Sequence, residues 1–111
     1  MARFAAYDLA VQAATALGPL LDVINRRDPD LCRQIRRAAS SVAMCLDEGS
    51  QRAGRDRLHL YRVAAGSAAE VRTALTLAAT WGYVSAQHTA PAHALLDRVV
   101  AILWRVTHPK P

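Results

Sequence analysis

The chain has 111 residues, 52% apolar but only 5% aromatic, with 14 Lys+Arg against 9 Asp+Glu and a formal net charge of +5. That length fits one domain over residues 1–111 and one core of modest thickness. The composition argues against a membrane protein, because the run from Thr73 to Leu96, although free of Asp, Glu, Lys and Arg, is broken by Gly82, Ser85, Gln87, His88, Thr89 and Pro91.

Alanine carries much of the apolar count, and alanine favours helix while filling little volume. Thin helices packed closely, or a core shared between subunits, would suit it. Lys110 is the sole lysine, so arginine supplies nearly all the positive charge. With a sequence pI near 10.0, two readings stay open: an anionic partner, nucleic acid first, or general solubility in an arginine-using genome. The N-terminal "MARFAAYDLAVQ" is a poor signal peptide, since Asp8 interrupts its apolar run. Cys32 and Cys45 lie ~20 Å apart on one helix, beyond disulfide reach. Both read as small apolar residues in a reducing, cytoplasmic setting.

The spacing predicts four helices and no strand. Helix one runs from about Phe4 to about Asn25. Its apolar stripe is Ala6, Ala10, Ala13, Leu17, Leu20 and Ile24, and Pro19 should kink the helix without ending it. Asp28-Pro29 starts helix two as an N-cap followed by proline at the first helical position. Leu31, Ile35, Ala38, Val42 and Cys45 form a heptad-like seam, and Gly49 is the expected C-terminal stop.

After the loop "GSQRAGR", helix three runs from near Arg55 to about Trp81, ~40 Å. It carries two apolar stripes. One is Leu58, Tyr61, Ala65, Ala68, Leu75 and Ala79; the other is Leu60, Ala64, Ser67, Val71, Ala74, Ala78 and Trp81. A helix apolar on two sides is expected to be buried on two sides, one toward the core and one toward another subunit. Helix four follows "SAQHTAP", with Thr89 as its expected cap and Leu95, Leu96, Val99, Leu103 and Val106 as its stripe. Short loops make the whole an all-α, antiparallel up-down-up-down four-helix bundle.

At the centre of helix three lies "VAAGSAAE", where glycine costs about 1 kcal/mol relative to alanine. Helices two and three should be antiparallel neighbours, with facing residue numbers summing to about 104. "AASSVA" (residues 38–43) then faces "RVAAGS" (residues 62–67). Small residues on both sides would allow a tight seam, with Gly66 given over to close contact. The same register puts Arg37 near Ser67 and Glu70, as an ion pair that fixes register more than it stabilises.

Leu31 to Ala38 reads "LxxQIRRA", Ser41 to Gly49 reads "SVAMCLDEG", and "AAGSAAE" and "WGYV" follow. In that order the chain resembles the bacterial four-helix bundle family encoded in intervening sequences of large-subunit ribosomal RNA genes. The resemblance covers about Leu31 to Val84 well, and the outer helices in pattern only. It implies a ring-shaped homopentamer and kinship with the accessory proteins of diversity-generating retroelements, which associate with a reverse transcriptase and its RNA. Arg37, Glu48, Gly49, Gly66, Ser67 and Glu70 match as fold-defining positions. Ala43 and Cys45 depart from it, standing where the family usually has proline and asparagine.

The residues offer little for catalysis. Asp47 and Glu48 are adjacent and do not share a helix face. They sit at a helix C-terminus where the dipole disfavours acids, which calls for an arginine partner from the loop or a neighbouring subunit. His93 and Asp97 supply two metal ligands at most, and Cys45 with His59 no more. No phosphate loop or nucleophile elbow occurs. No enzyme activity, metal or cofactor is expected.

Arginine is the better lead. Arg52, Arg55, Arg57 and Arg62 cluster at the loop and the start of helix three, with Arg33 and Arg36 on helix two and Arg26 and Arg27 before it. Repeated around a ring, such a patch would turn weak phosphate contacts into avidity. Few aromatics interleave with the arginines, which favours backbone contacts to structured RNA or duplex over base stacking. The expected function is nucleic-acid binding, RNA first. The competing reading is a protein scaffold that docks a partner such as a reverse transcriptase, its basic face solvated or spent on intersubunit ion pairs.

Overall fold

The computed structural model describes residues 4–110. Four helices account for nearly all of them: α1 (Ala5–Arg27), α2 (Pro29–Ser50), α3 (Gly54–Thr80) and α4 (Ala86–Thr107), with no strand among the described residues. Each helix packs on its two neighbours in the cycle α1–α2–α3–α4. The body measures 44 × 21 × 21 Å, about the length of its longest helix.

The first two boundaries follow the sequence. Asp28 Oδ1 accepts from Leu31 N at 3.0 Å, with Pro29 opening the helix behind it. Pro19 lies inside a continuous α1, on its exposed side, where water reaches the carbonyl left without a donor. The α1 stripe is buried as expected, with Leu9 and Leu21 added to it.

Other boundaries differ. Gly49 does not end α2, which continues through Ser50 to a C-cap at Gln51 in ordinary right-handed geometry. Gly49 is helical and buried under Tyr61: a Cβ there would lie 2.7 Å from Tyr61 Cε1. Thr89 does not cap α4. Ser85 does, accepting from His88 N at 3.1 Å, while Thr89 is buried and donates to Ala86 O. The α3 helix ends at Thr80 with Trp81 as its C-cap, and Gly82 just beyond takes a φ of +77° that only glycine adopts cheaply. Gly82 N bonds Ala79 O and Tyr83 N bonds Ala78 O, closing the last turn.

The core seams also shift. In α2 the stripe continues to Leu46, while Cys45 is half-buried beside Ser41 Oγ at 3.7 Å. In α3 the two predicted stripes merge into one inward face of Tyr61, Ala64, Ala68, Val71, Leu75 and Ala78, with Ala74 buried beside it. Residues from each stripe lie along it because a heptad step drifts only slightly around the helix. In α4 Val106 is exposed and Thr107 is buried instead.

Helices α2 and α3 meet one turn away from the expected register. Ser67 Oγ donates to Ser41 Oγ at 2.9 Å, four residues along from Arg37. Arg37 and Glu70 are both exposed, and no ion pair joins them. Gly66 is exposed too, with nothing within 4 Å of a Cβ placed on it. The glycine that serves close approach is Gly49.

Candidate nucleic-acid interface

Of the six arginines Arg33, Arg36, Arg52, Arg55, Arg57 and Arg62, three are engaged by the fold. At the α2 C-terminus Gln51 N bonds Glu48 O and Arg52 N bonds Gly49 O, each at 3.1 Å, which leaves Ser50 O without a backbone donor and Gly49 O with a second lone pair to fill. Arg57, one turn into α3, reaches back to them: Nε donates to Gly49 O at 3.1 Å and Nη2 to Ser50 O at 3.2 Å. A cation at that negative end of the helix dipole is doubly favoured. Arg52 supplies the loop partner expected for the acids, bonding Glu48 at 3.0 Å and lying 3.7 Å from Asp56. Asp47 instead accepts weakly from Gln51 Nε2 at 3.5 Å. Arg33 pairs with Asp30 one turn before it on α2.

The other three, Arg36, Arg55 and Arg62, are exposed and make no ion pair or hydrogen bond. Arg55 and Arg62 stand a heptad apart and so share one stripe of α3, ~10 Å along its axis. Arg36 stands on α2, and the six do not form one continuous patch. Their guanidinium groups remain charged and hydrated, available for phosphate oxygens without first breaking a protein contact.

Three further contacts emerge only in the fold. Arg72 Nη1 bonds Asp97 Oδ1 at 3.0 Å, joining α3 to α4 and taking up the carboxylate weighed as a metal ligand. Tyr83 Oη donates to Asp28 Oδ2 at 3.2 Å, so one carboxylate caps α2 and fastens the α3–α4 turn; Arg27 lies over the Tyr83 ring. Partial burial, then this bond and the Asp28 charge, hold the Tyr83 hydroxyl above its ordinary pKa of 10.0. Last, Trp104 stacks on His108 with centroids 4.4 Å apart and planes 11° from parallel. Such pairs arise from i, i+4 spacing across a helix end, legible as spacing but not as a stack.

Among the described residues no three of His, Cys, Asp and Glu gather where a metal could bind. His59 is exposed and Cys45 touches Ser41. Among the described residues no helix is long and apolar enough to cross a membrane.

The fold thus defines an antiparallel four-helix bundle with unpaired arginines on its outer surface. The chain belongs to the 23S rRNA-intervening sequence protein family, whose sequence model matches residues 3–105. Its fold is similar to the crystal structure of a protein with unknown function from the S23 ribosomal protein family of Bacteroides thetaiotaomicron, with a TM-score of 0.85 and 17% identity over 94% of this chain and 99% of that one. No curated relative matches the chain.

Proposed function

We propose that this protein is a non-enzymatic, cytoplasmic RNA-binding bundle that works as a homo-oligomer, a pentameric ring by family resemblance. The observation that carries the reading is the freedom of Arg36, Arg55 and Arg62, three exposed guanidinium groups without an acidic partner in a chain of net charge +5. Repeated around a closed ring, they would present a multivalent cationic surface to a folded RNA. The bundle is mostly helical on its outside, which suits recognition of backbone shape.

A second reading is a protein scaffold, kin to the accessory proteins of diversity-generating retroelements, that docks a reverse transcriptase. Met44, 70% exposed on α2, and Trp81, 52% exposed at the end of α3, favour it as apolar contacts awaiting a partner.

Native mass spectrometry of protein purified without nuclease, followed by RNA titration at several salt concentrations, separates the two. RNA-sized mass on an oligomer and a steep fall of affinity with salt support RNA binding. Clean oligomer with salt-insensitive or absent RNA binding overturns it in favour of the scaffold.

A further inference from the structure

We propose that Trp104 and His108 form a stacking platform for one unpaired RNA base, with Arg62 and Arg55 holding the flanking phosphates. This rests on the RNA-binding reading and departs from the sequence expectation that base stacking is disfavoured: it adds to backbone contacts a preference for loops and bulges over uninterrupted duplex.

Trp104 is 59% exposed although it is the largest side chain on α4. It is nevertheless held in place. His108 lies parallel against it, and His108 Nδ1 stands 2.9 Å from Trp104 O and 3.2 Å from Thr107 Oγ1. Thr107 is buried and donates to Leu103 O at 2.7 Å, so the residue between the two rings is anchored in the core. An exposed aromatic pair fixed in this way loses little conformational freedom when a third ring joins the stack. Every base has a π-face, and base–aromatic stacking is a general means of holding unpaired nucleotides.

Charge selects the partner. The Arg72–Asp97 bond sets the register of α3 against α4. Trp104 lies one heptad beyond Asp97 on the same stripe of α4, and Ala65 lies one heptad before Arg72 on the same stripe of α3. The antiparallel pairing therefore brings Trp104 level with Ala65, a small residue that leaves the indole uncovered. Arg62 is the i−3 neighbour of Ala65, and Arg55 stands two turns further along Arg62's own stripe. Both arginines lack an acidic partner. A stacked aromatic pair with two free guanidinium groups spaced along the adjoining helix, Arg55 ~15 Å from the level of Ala65, complements a base with its flanking phosphates better than it complements an apolar protein surface. Trp81 differs: its nearest ring, Tyr83, is tilted by 59° and carries Arg27 on it.

The test compares two RNAs of equal length and charge, a hairpin with an unpaired loop and a blunt duplex. A third probe is the same hairpin with abasic loop positions. Wild-type protein should prefer the hairpin by about tenfold or more, and the abasic loop should lose that preference without any change to the protein. Trp104→Ala should lose it as well, Trp104→Phe should keep most of it, and Trp81→Phe should keep all of it. Equal binding of all three RNAs overturns the platform while leaving RNA binding through arginine standing. A Trp104→Ala protein with an altered oligomer mass and an unchanged hairpin preference also overturns it, placing Trp104 between copies of the chain. Binding to none of the RNAs removes both readings together.

Discussion

Tyr61 lies across Gly49 so closely that a single added methyl would stand 2.7 Å from one ring carbon and 3.0 Å from the next. The ring has little room to retreat, being buried and packed against Phe4 at 5.3 Å between centroids. Gly49→Ala is therefore expected to destabilise the fold by about 1–3 kcal/mol through overpacking. Gly66→Ala should do the reverse, adding about 0.5–1 kcal/mol, because the site is helical, exposed and empty around its Cα. Urea denaturation of the two variants reads both signs. A destabilised Gly66→Ala protein would mean that another copy or partner covers the outer side of α3.

The raised pKa of Tyr83, due first to burial and then to its bond with Asp28, gives stability a defined dependence on alkaline pH. The folded hydroxyl is held above the unfolded value of 10.0. Below that value both states keep the proton and the contact contributes fully. As pH rises through it, unfolded chains ionise first and the folded state loses its advantage until Tyr83 itself ionises. The stability difference between wild type and Tyr83→Phe should shrink as pH rises from about 9 to 11. A difference that stays flat over that range would mean that the fold does not hold the Tyr83 hydroxyl above its ordinary value.

Asp28 should show more than the loss of a cap. Asp28→Ala removes the bond to Leu31 N, about 1 kcal/mol, and also the acceptor for Tyr83. In a Tyr83→Phe background the same substitution should cost only the cap. A double-mutant cycle measures the difference, expected at about 0.5–1.5 kcal/mol. Additive losses would mean that the turn before α4 is held without this carboxylate.

What the sequence made legible was the periodic part. Apolar spacing places four helices and the inner stripe of α1, and Asp28-Pro29 marks the start of α2, since both signals are local. Register is not local. Ser67 meets Ser41 instead of Arg37 because loop length constrains the pairing only to within a turn, and side-chain contacts choose among neighbouring registers. The same ambiguity hides the different uses of Gly49 and Gly66. Composition cannot tell a glycine under a tyrosine ring from one facing open space. Thr89 and Ser85 are both sound caps by type, and only Ser85 stands at the first turn. The arginines were legible as a charge excess, but their division into engaged and free groups depends on which carbonyls and carboxylates the fold brings near.

That division gives the sharpest contrast between stability and binding. Arg57 holds two carbonyls at the end of α2, so Arg57→Met should cost about 1–3 kcal/mol of stability. Arg55 and Arg62 are exposed and make no hydrogen bond or ion pair in the bundle, so Arg55→Met and Arg62→Met should stay within about 0.5 kcal/mol of wild type. RNA affinity should order the three the other way. Each of Arg55→Met and Arg62→Met should lower the slope of log affinity against log salt by ~0.7–0.9, the loss of one phosphate contact. Arg57→Met, assayed where it remains folded, should leave the slope unchanged, because its guanidinium is already committed to the protein. If Arg57→Met flattens the slope while Arg55→Met and Arg62→Met do not, phosphate is held at the α2–α3 loop, with the guanidinium leaving the helix end to reach it.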